Sequence, residues 1–168
     1  MMKISKLIHP ELIKVELETV IPEEIQEILK PEIRVERIKE LLVKEFVEIL
    51  DLSGKVQSSN KLYLDLLNRE RKASTAIGHG VAIPHVRTMH VREMVMAFAK
   101  SVEGYEYDSP DGQRVHLFFI MVSPNYDDNL YLKVYKELAE LLKYEELREK
   151  LVYASSVQEV IGAIQKWE

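Results

Sequence analysis

The sequence predicts an α/β (α+β) protein, a small mixed β-sheet flanked by helices on both faces. Three observations carry this. The runs Met94–Ala99 and Leu117–Val122 are apolar at every position, which marks strands covered on both sides. Patterns of 3.6-residue period precede and follow them, which supplies the covering layers. The 168 residues are 46% hydrophobic and 30% charged, a balance that suits one domain, 1–168, with a core of its own.

The elements follow in order. Val15–Lys30 reads as a hinge leading into a short helix, with Pro22 at its first position and Glu23 and Glu24 in the first turn, where the helix dipole favours anions. Ile25, Ile28 and Leu29 form its stripe, and Pro31 is expected to stop it. Arg34–Leu50 is the clearest helix, with Val35, Ile38, Leu41, Leu42, Phe46, Ile49 and Leu50 on one face. Ser53-Gly54 ends it. Ser58 or Ser59 caps the next helix, which carries Leu62, Leu66 and Leu67 and runs to about Glu70.

After Lys72 the chain turns small and Gly-bearing, with a short strand expected at Val81–Ile83. Ser109-Pro110-Asp111-Gly112 is a turn: proline sets φ early and glycine permits positive φ late, so the strands on either side are expected to pair antiparallel. Ser123–Asn129 reads as a polar loop and Leu130–Lys143 as a helix. Ser156 and Glu159 form a capping-box pattern for a last helix through Val160, Ile161 and Ile164.

Composition excludes several functions. There is no cysteine, hence no disulfide scaffold, thiolate metal site or Cys nucleophile. The formal charge of −5 argues against a nucleic-acid binder. No apolar run approaches the roughly 20 residues of a membrane span. Met1–Leu12 has no apolar signal-peptide core. A cytoplasmic protein without direct membrane insertion is expected.

Candidate chemistry concentrates in Arg69–His90. Gly78 and Gly80 flank His79 and allow positive φ, so successive N–H groups there are candidates for an anion-binding nest. Ser74 and Thr75 add hydroxyls. Arg69 offers a planar fork of donors suited to phosphate. His85 follows Pro84, which stiffens its approach, and a neutral imidazole can attack a phosphoryl group near neutral pH. Phosphoryl transfer needs position and positive charge more than covalent help.

Competing readings use the same residues. His9 and His116 are expected to be surface or satisfied polar side chains. Arg69 also suits a helix C-terminus, and the two glycines suit a turn. A metal set of His79, His85 and His90 with Asp127 or Asp128 has no tight helical ligand spacing. A Ser-His-Asp hydrolase lacks the Gly-x-Ser-x-Gly turn around Ser74. Tyr126, Tyr135 and Tyr144 read as packing.

The run Arg69-Glu70-Arg71-Lys72-Ala73-Ser74-Thr75-Ala76-Ile77-Gly78-His79-Gly80-Val81-Ala82-Ile83-Pro84-His85 resembles the signature of fructose/mannitol-type (type 2) IIA components of the bacterial phosphotransferase system, a group that includes nitrogen-regulatory IIA proteins. The resemblance covers most of the chain, with a short insertion near 19–31. It implies that His85 accepts a phosphoryl group from the histidine phosphocarrier protein. His85 then passes the group to a IIB partner for sugar uptake, or holds it as a regulatory mark that controls a partner protein. Arg69 matches the family's active-site arginine, and Ser74 and Thr75 its hydroxyl pair. No metal or organic cofactor is implied. Two departures stand out. Ala76 replaces a glycine, and Tyr131-Leu132 stands where the family commonly has His-Leu. Tyr131 can donate a hydrogen bond beside His85 but cannot become a cation near neutral pH. His79 and His90 are candidate substitutes.

Overall fold

The computed structural model describes residues 2–126 and 128–168, without the side chain of Asp128. In chain order the elements are α1 (Ile4–Leu7), β1 (Ile8–Lys14), α2 (Glu23–Gln26), α3 (Pro31–Asp51), α4 (Ser59–Lys72), β2 (Ala76–Gly78), β3 (Val81–Ala82), β4 (His85–Thr88), β5 (Val95–Tyr105), β6 (Val115–Pro124), α5 (Asp128–Leu141), α6 (Glu145–Val152) and α7 (Val157–Trp167). The strands form one mixed sheet in the order β1-β5-β6-β3-β2, with β4 also paired to β6. β5 and β6 pair antiparallel across the Ser109–Gly112 turn, as the sequence predicts. β3 and β4 both run parallel to β6, end to end along the same edge.

The apolar runs divide by side-chain alternation. From β6, Phe118, Ile120 and Val122 face a core that includes Ile38, Leu42 and Phe46 of α3 and Leu62 and Leu66 of α4. Leu117, Phe119 and Met121 face the opposite core, with Val134 and Leu138 of α5, Leu147 and Leu151 of α6 and Val160 and Ile164 of α7. From β5, Ala97 and Ala99 join the first core, Met96 and Phe98 the second. Sheet and helices therefore form three layers.

Several boundaries differ from expectation. Pro31 begins α3 at its first turn instead of stopping the preceding helix, because a residue whose N–H needs no partner suits a helix start as well as an end. The preceding helix is a single turn, and Leu29 is 92% exposed, so its expected stripe packs little. Ser123 and Pro124 extend β6 instead of opening a loop, through pairing with β4. β4 and α6 were not anticipated: four and eight residues are too few for a period to show. The Ser58 and Ser156 caps form, each hydroxyl accepting the N–H three residues on. The reciprocal Glu159 bond lands on the Ser155 N–H, one residue earlier than a capping box requires.

No helix among the described residues is long and apolar enough to cross a membrane.

Candidate functional site: a histidine between an arginine and two tyrosines

His85 opens β4, an edge strand, where Pro84 is tolerated because its missing N–H breaks no ladder. The Pro84 carbonyl accepts from Met121 N–H at 2.9 Å. The local chain sets the imidazole. Nδ1 lies 2.6 Å from the Ile83 carbonyl oxygen, which can only accept, so Nδ1 carries the proton and Nε2 the lone pair. The side chain is 8% exposed. Burial holds its pKa below the ordinary 6.5; the Arg69 charge acts the same way, while the Ile83 bond and Glu70 oppose. The imidazole is therefore neutral at neutral pH, with a nucleophilic nitrogen on the side away from its anchor.

Arg69 reaches that nitrogen. It sits in the last turn of α4 with Arg71 and Lys72, where the helix dipole favours cations. One guanidinium nitrogen, Nη1, donates to the Ala73 carbonyl at 2.9 Å, and Nη2 approaches His85 Nε2 at 3.4 Å. The helix-end reading and the site reading of Arg69 hold together: the carbonyl at the helix end fixes the fork that faces the histidine.

Two aromatic rings close the other side. Tyr131 and Tyr135, one turn apart on α5, each lie with ring centroids 5.3 Å from His85. The Arg87 guanidinium lies over the Tyr131 ring at 5.6 Å. Burial raises the Tyr131 pKa, and the Arg69 and Arg87 charges oppose that rise. Sequence reasoning named Tyr131 but took Tyr135 for packing. The signal available was the i, i+4 spacing of two tyrosines on one helix face.

Ser74 and Thr75 lie behind the site. Glu70 is 5% exposed and Lys39 6% exposed, and they pair at 2.9 Å. The Glu70 carboxylate also accepts Thr75 N–H at 2.9 Å and the Thr75 hydroxyl at 2.8 Å. Ser74 Oγ donates to the Tyr107 carbonyl at 3.0 Å and accepts from Lys39 Nζ at 3.3 Å. Lys39 Nζ lies 4.4 Å from the Tyr107 ring centroid. Both hydroxyls thus brace the loop. The Thr75 carbonyl then accepts Ile83 N–H at 3.0 Å, and Ile83 is the residue that holds His85. The buried pair is tied to His85 through three consecutive bonds.

The structure does not bring the glycine loop to His85. Gly78, His79 and Gly80 have φ of +93°, +56° and +76°, so the left-handed backbone expected there is present. β3 places Val81 opposite Leu117, however, whereas His85 lies opposite Met121. Four residues of strand separate the two, about 13 Å. The loop does hold an anion, its own Asp111. The His79 N–H donates to Asp111 Oδ2 at 2.9 Å, and with Ser109 and Gln113 this lowers the Asp111 pKa to about 2. Gly80 also makes room for His116, whose ring would lie 3.3 Å from a Cβ there. His116 bonds the Ser101 carbonyl through Nδ1 at 3.0 Å and is a satisfied packing residue, as expected.

His90 lies two residues past the end of β4 and bonds through its N–H to Thr88 Oγ1, which donates to Asp65. Among the described residues no three His, Asp or Glu side chains gather as a metal site. Asp127 and the Asp128 side chain, named with the histidines as candidate ligands, lie outside the described residues.

Known proteins resemble this chain in sequence and in fold. The chain is 34% identical over 163 residues to the fructose-specific EIIABC component of the phosphotransferase system (PTS) from Bacillus subtilis, covering 97% of this chain and 23% of that protein. It therefore spans about a quarter of that relative's length. It is 36% identical over 115 residues to the PTS fructose-specific EIIA component of Haloferax volcanii, covering 67% of this chain and 75% of the relative. The crystal structure of nitrogen regulatory protein IIA-Ntr from Neisseria meningitidis superposes with a TM-score of 0.79 at 28% identity, covering 96% of this chain and 98% of that one. The family model described as phosphoenolpyruvate-dependent sugar phosphotransferase system, EIIA 2, matches residues 8–167, which takes in every strand of the sheet and the whole setting of His85, and to that family the chain belongs.

Proposed function

We propose that this chain is a phosphoryl carrier in which His85 Nε2 accepts the phosphoryl group of a phosphorylated histidine phosphocarrier protein and passes it to a IIB partner in sugar uptake. The observation that carries this is the oriented imidazole, with Nδ1–H fixed on the Ile83 carbonyl and Nε2 facing Arg69. As the donor's P–N bond breaks, the Nε2–P bond forms and the ring keeps its Nδ1 proton. The ring then becomes cationic, and the Ile83 carbonyl oxygen, 2.6 Å away, stabilises that charge. The Arg69 N–H that faced the lone pair turns to a phosphoryl oxygen. Charge on three oxygens develops beside a fixed guanidinium, the positioned electrostatics that such transfers require. Such a reaction would run in the cytoplasm, where a soluble phosphocarrier would meet the protein. Ser74 and Thr75 act through the loop they brace.

The test is mass spectrometry at alkaline pH, since phosphohistidine is acid-labile, after incubation with phosphoenolpyruvate, enzyme I and the phosphocarrier. One added phosphoryl group is expected on the peptide bearing His85. His85→Ala should gain none, and Arg69→Ala should gain it roughly 10²-fold more slowly. Full labelling of the His85 variant would sink the assignment.

A second reading is favoured by the likeness to a nitrogen regulatory protein: phosphorylation of His85 switches a binding surface for a regulated partner by adding negative charge. Rapid discharge of the labelled protein onto a fructose IIB component supports transport. A stable label that a IIB component does not remove supports regulation.

A further inference from the structure

A phosphoryl group on His85 would present three acceptor oxygens, and Arg69 brings one fork of donors to them. The strand that bears the nucleophile carries a second guanidinium toward the same place. Along β4, Val86 packs against the α3–α4 core and Thr88 bonds Asp65 of α4. Alternation puts His85 and Arg87 on the other face, about 7 Å apart along the strand. Arg87 and His85 both meet the Tyr131 ring: the guanidinium carbon is 5.6 Å from that ring's centroid and the imidazole centroid 5.3 Å. A guanidinium over an aromatic ring is engaged through its face, while its N–H edge is the part that binds oxygen anions. The Arg69 and Arg87 charges both act on the Tyr131 phenol.

We propose that Arg87 is a second cationic ligand of the phosphoryl group on His85, with Tyr131 as the positioning residue that seats its guanidinium. This rests on His85 being the acceptor. A guanidinium beside that of Arg69 would give the phosphoryl oxygens a second set of charged N–H donors. Tyr131, which can bear no positive charge itself, contributes by carrying a neighbour that does.

Phosphoramidate, a small phosphoryl donor, tests this without a protein partner. The Nε2–P bond forms, the P–N bond of phosphoramidate breaks, and ammonia leaves. Arg87→Gln should label about tenfold more slowly, the cost of one charge-assisted hydrogen bond in the transition state. Arg87→Lys, which restores the charge, should recover part of that loss. Tyr131→Ala should slow labelling comparably, and the double variant Tyr131→Ala/Arg87→Gln should be no slower than either single one, because both remove the same contact. Tyr131→Phe, which keeps the ring, should stay within about twofold of the parent. Arg87 is exposed, so its variants should fold as the parent does, which their unfolding midpoints check. An Arg87→Gln rate equal to the parent's overturns the proposal. Strictly additive losses in the double variant overturn the role given to Tyr131. If the unsubstituted protein is labelled neither by phosphoramidate nor by the full phosphocarrier chain, His85 is not the acceptor and the inference falls with it.

Discussion

Two segments of the molecule are fastened by a buried glutamate, and they differ in what else surrounds the carboxylate. Behind the site, Glu70 holds Thr75 through its N–H and hydroxyl, and Lys39 completes the group as an ion pair at 2.9 Å. On the far side of the same core, Glu45 of α3 accepts Glu18 N–H at 3.0 Å, Thr19 N–H at 2.8 Å and the Thr19 hydroxyl at 2.5 Å. There the carboxylate is met by backbone and hydroxyl dipoles, and the Tyr105 hydroxyl adds a bond to the Thr19 carbonyl at 2.6 Å. Burial and the Glu45, Glu16 and Glu103 charges push the Tyr105 pKa up to about 12, so it stays a donor at any working pH. The Glu45 clasp organises a segment that opens onto a groove of about 770 Å³ lined by Thr19, Val20, Tyr105 and Arg114. The Glu70 clasp organises the loop whose Thr75 carbonyl accepts the Ile83 N–H, two residues before His85. The same device fixes a wall in one place and helps to orient His85 in the other. The cation accompanies it where a stray negative charge would act on the imidazole.

The comparison can be broken at either clasp. Glu70→Gln leaves Lys39 buried without its anion and should cost about 3–5 kcal/mol in urea denaturation, with phosphorylation of His85 slowed in the folded fraction. Loss of stability with unchanged labelling would separate the clasp from the site. Gly104→Ala acts on the far side. Gly104 has φ +75°, and a Cβ there would meet the His116 ring at 2.7–3.0 Å, so we expect about 2–3 kcal/mol of destabilisation with labelling retained. Glu45→Gln keeps one acceptor but turns an amide toward an N–H. It should cost about 1–2 kcal/mol and leave the labelling rate alone.

The smallest effect is on pH. The His85 pKa lies below its ordinary 6.5, so between those values the unfolded chain binds the proton that the folded chain refuses. The stability contributed by the neutral ring is full above about 6.5 and declines as pH falls toward the folded value. Labelling rates should accordingly stay level from pH 8 down to about 6.5 and fall only below that. A rate that halves at or above 6.5 would show that the ring is not desolvated.

How far the site could be read from the chain depends on the range of each contact. The Nδ1 anchor spans two residues and the Arg69 fork closes on Ala73 four residues away, so both are written into the Arg69–His85 run. β4 was hidden because four residues show no period and its pairing with β6 lies in another part of the chain. The glycine loop carried the left-handed backbone its composition demanded. Its distance from His85 followed from register against β6, which composition does not encode. Pro31 was ambiguous because the same missing N–H ends one helix and starts another.

By itself the sequence determined a two-faced sheet, from runs apolar at every position, and named His85 and Arg69 as candidates within one short run, because periodicity and near-neighbour spacing are local. Only the tertiary structure decided that Tyr131 and Tyr135 flank that histidine, that Arg87 lies over one of them, and that Asp111 takes the anion seat at His79. Each of those meetings joins residues some 32 to 50 positions apart. Which side chains meet across such spans is set by strand register and helix packing, and those follow from the whole core closing at once.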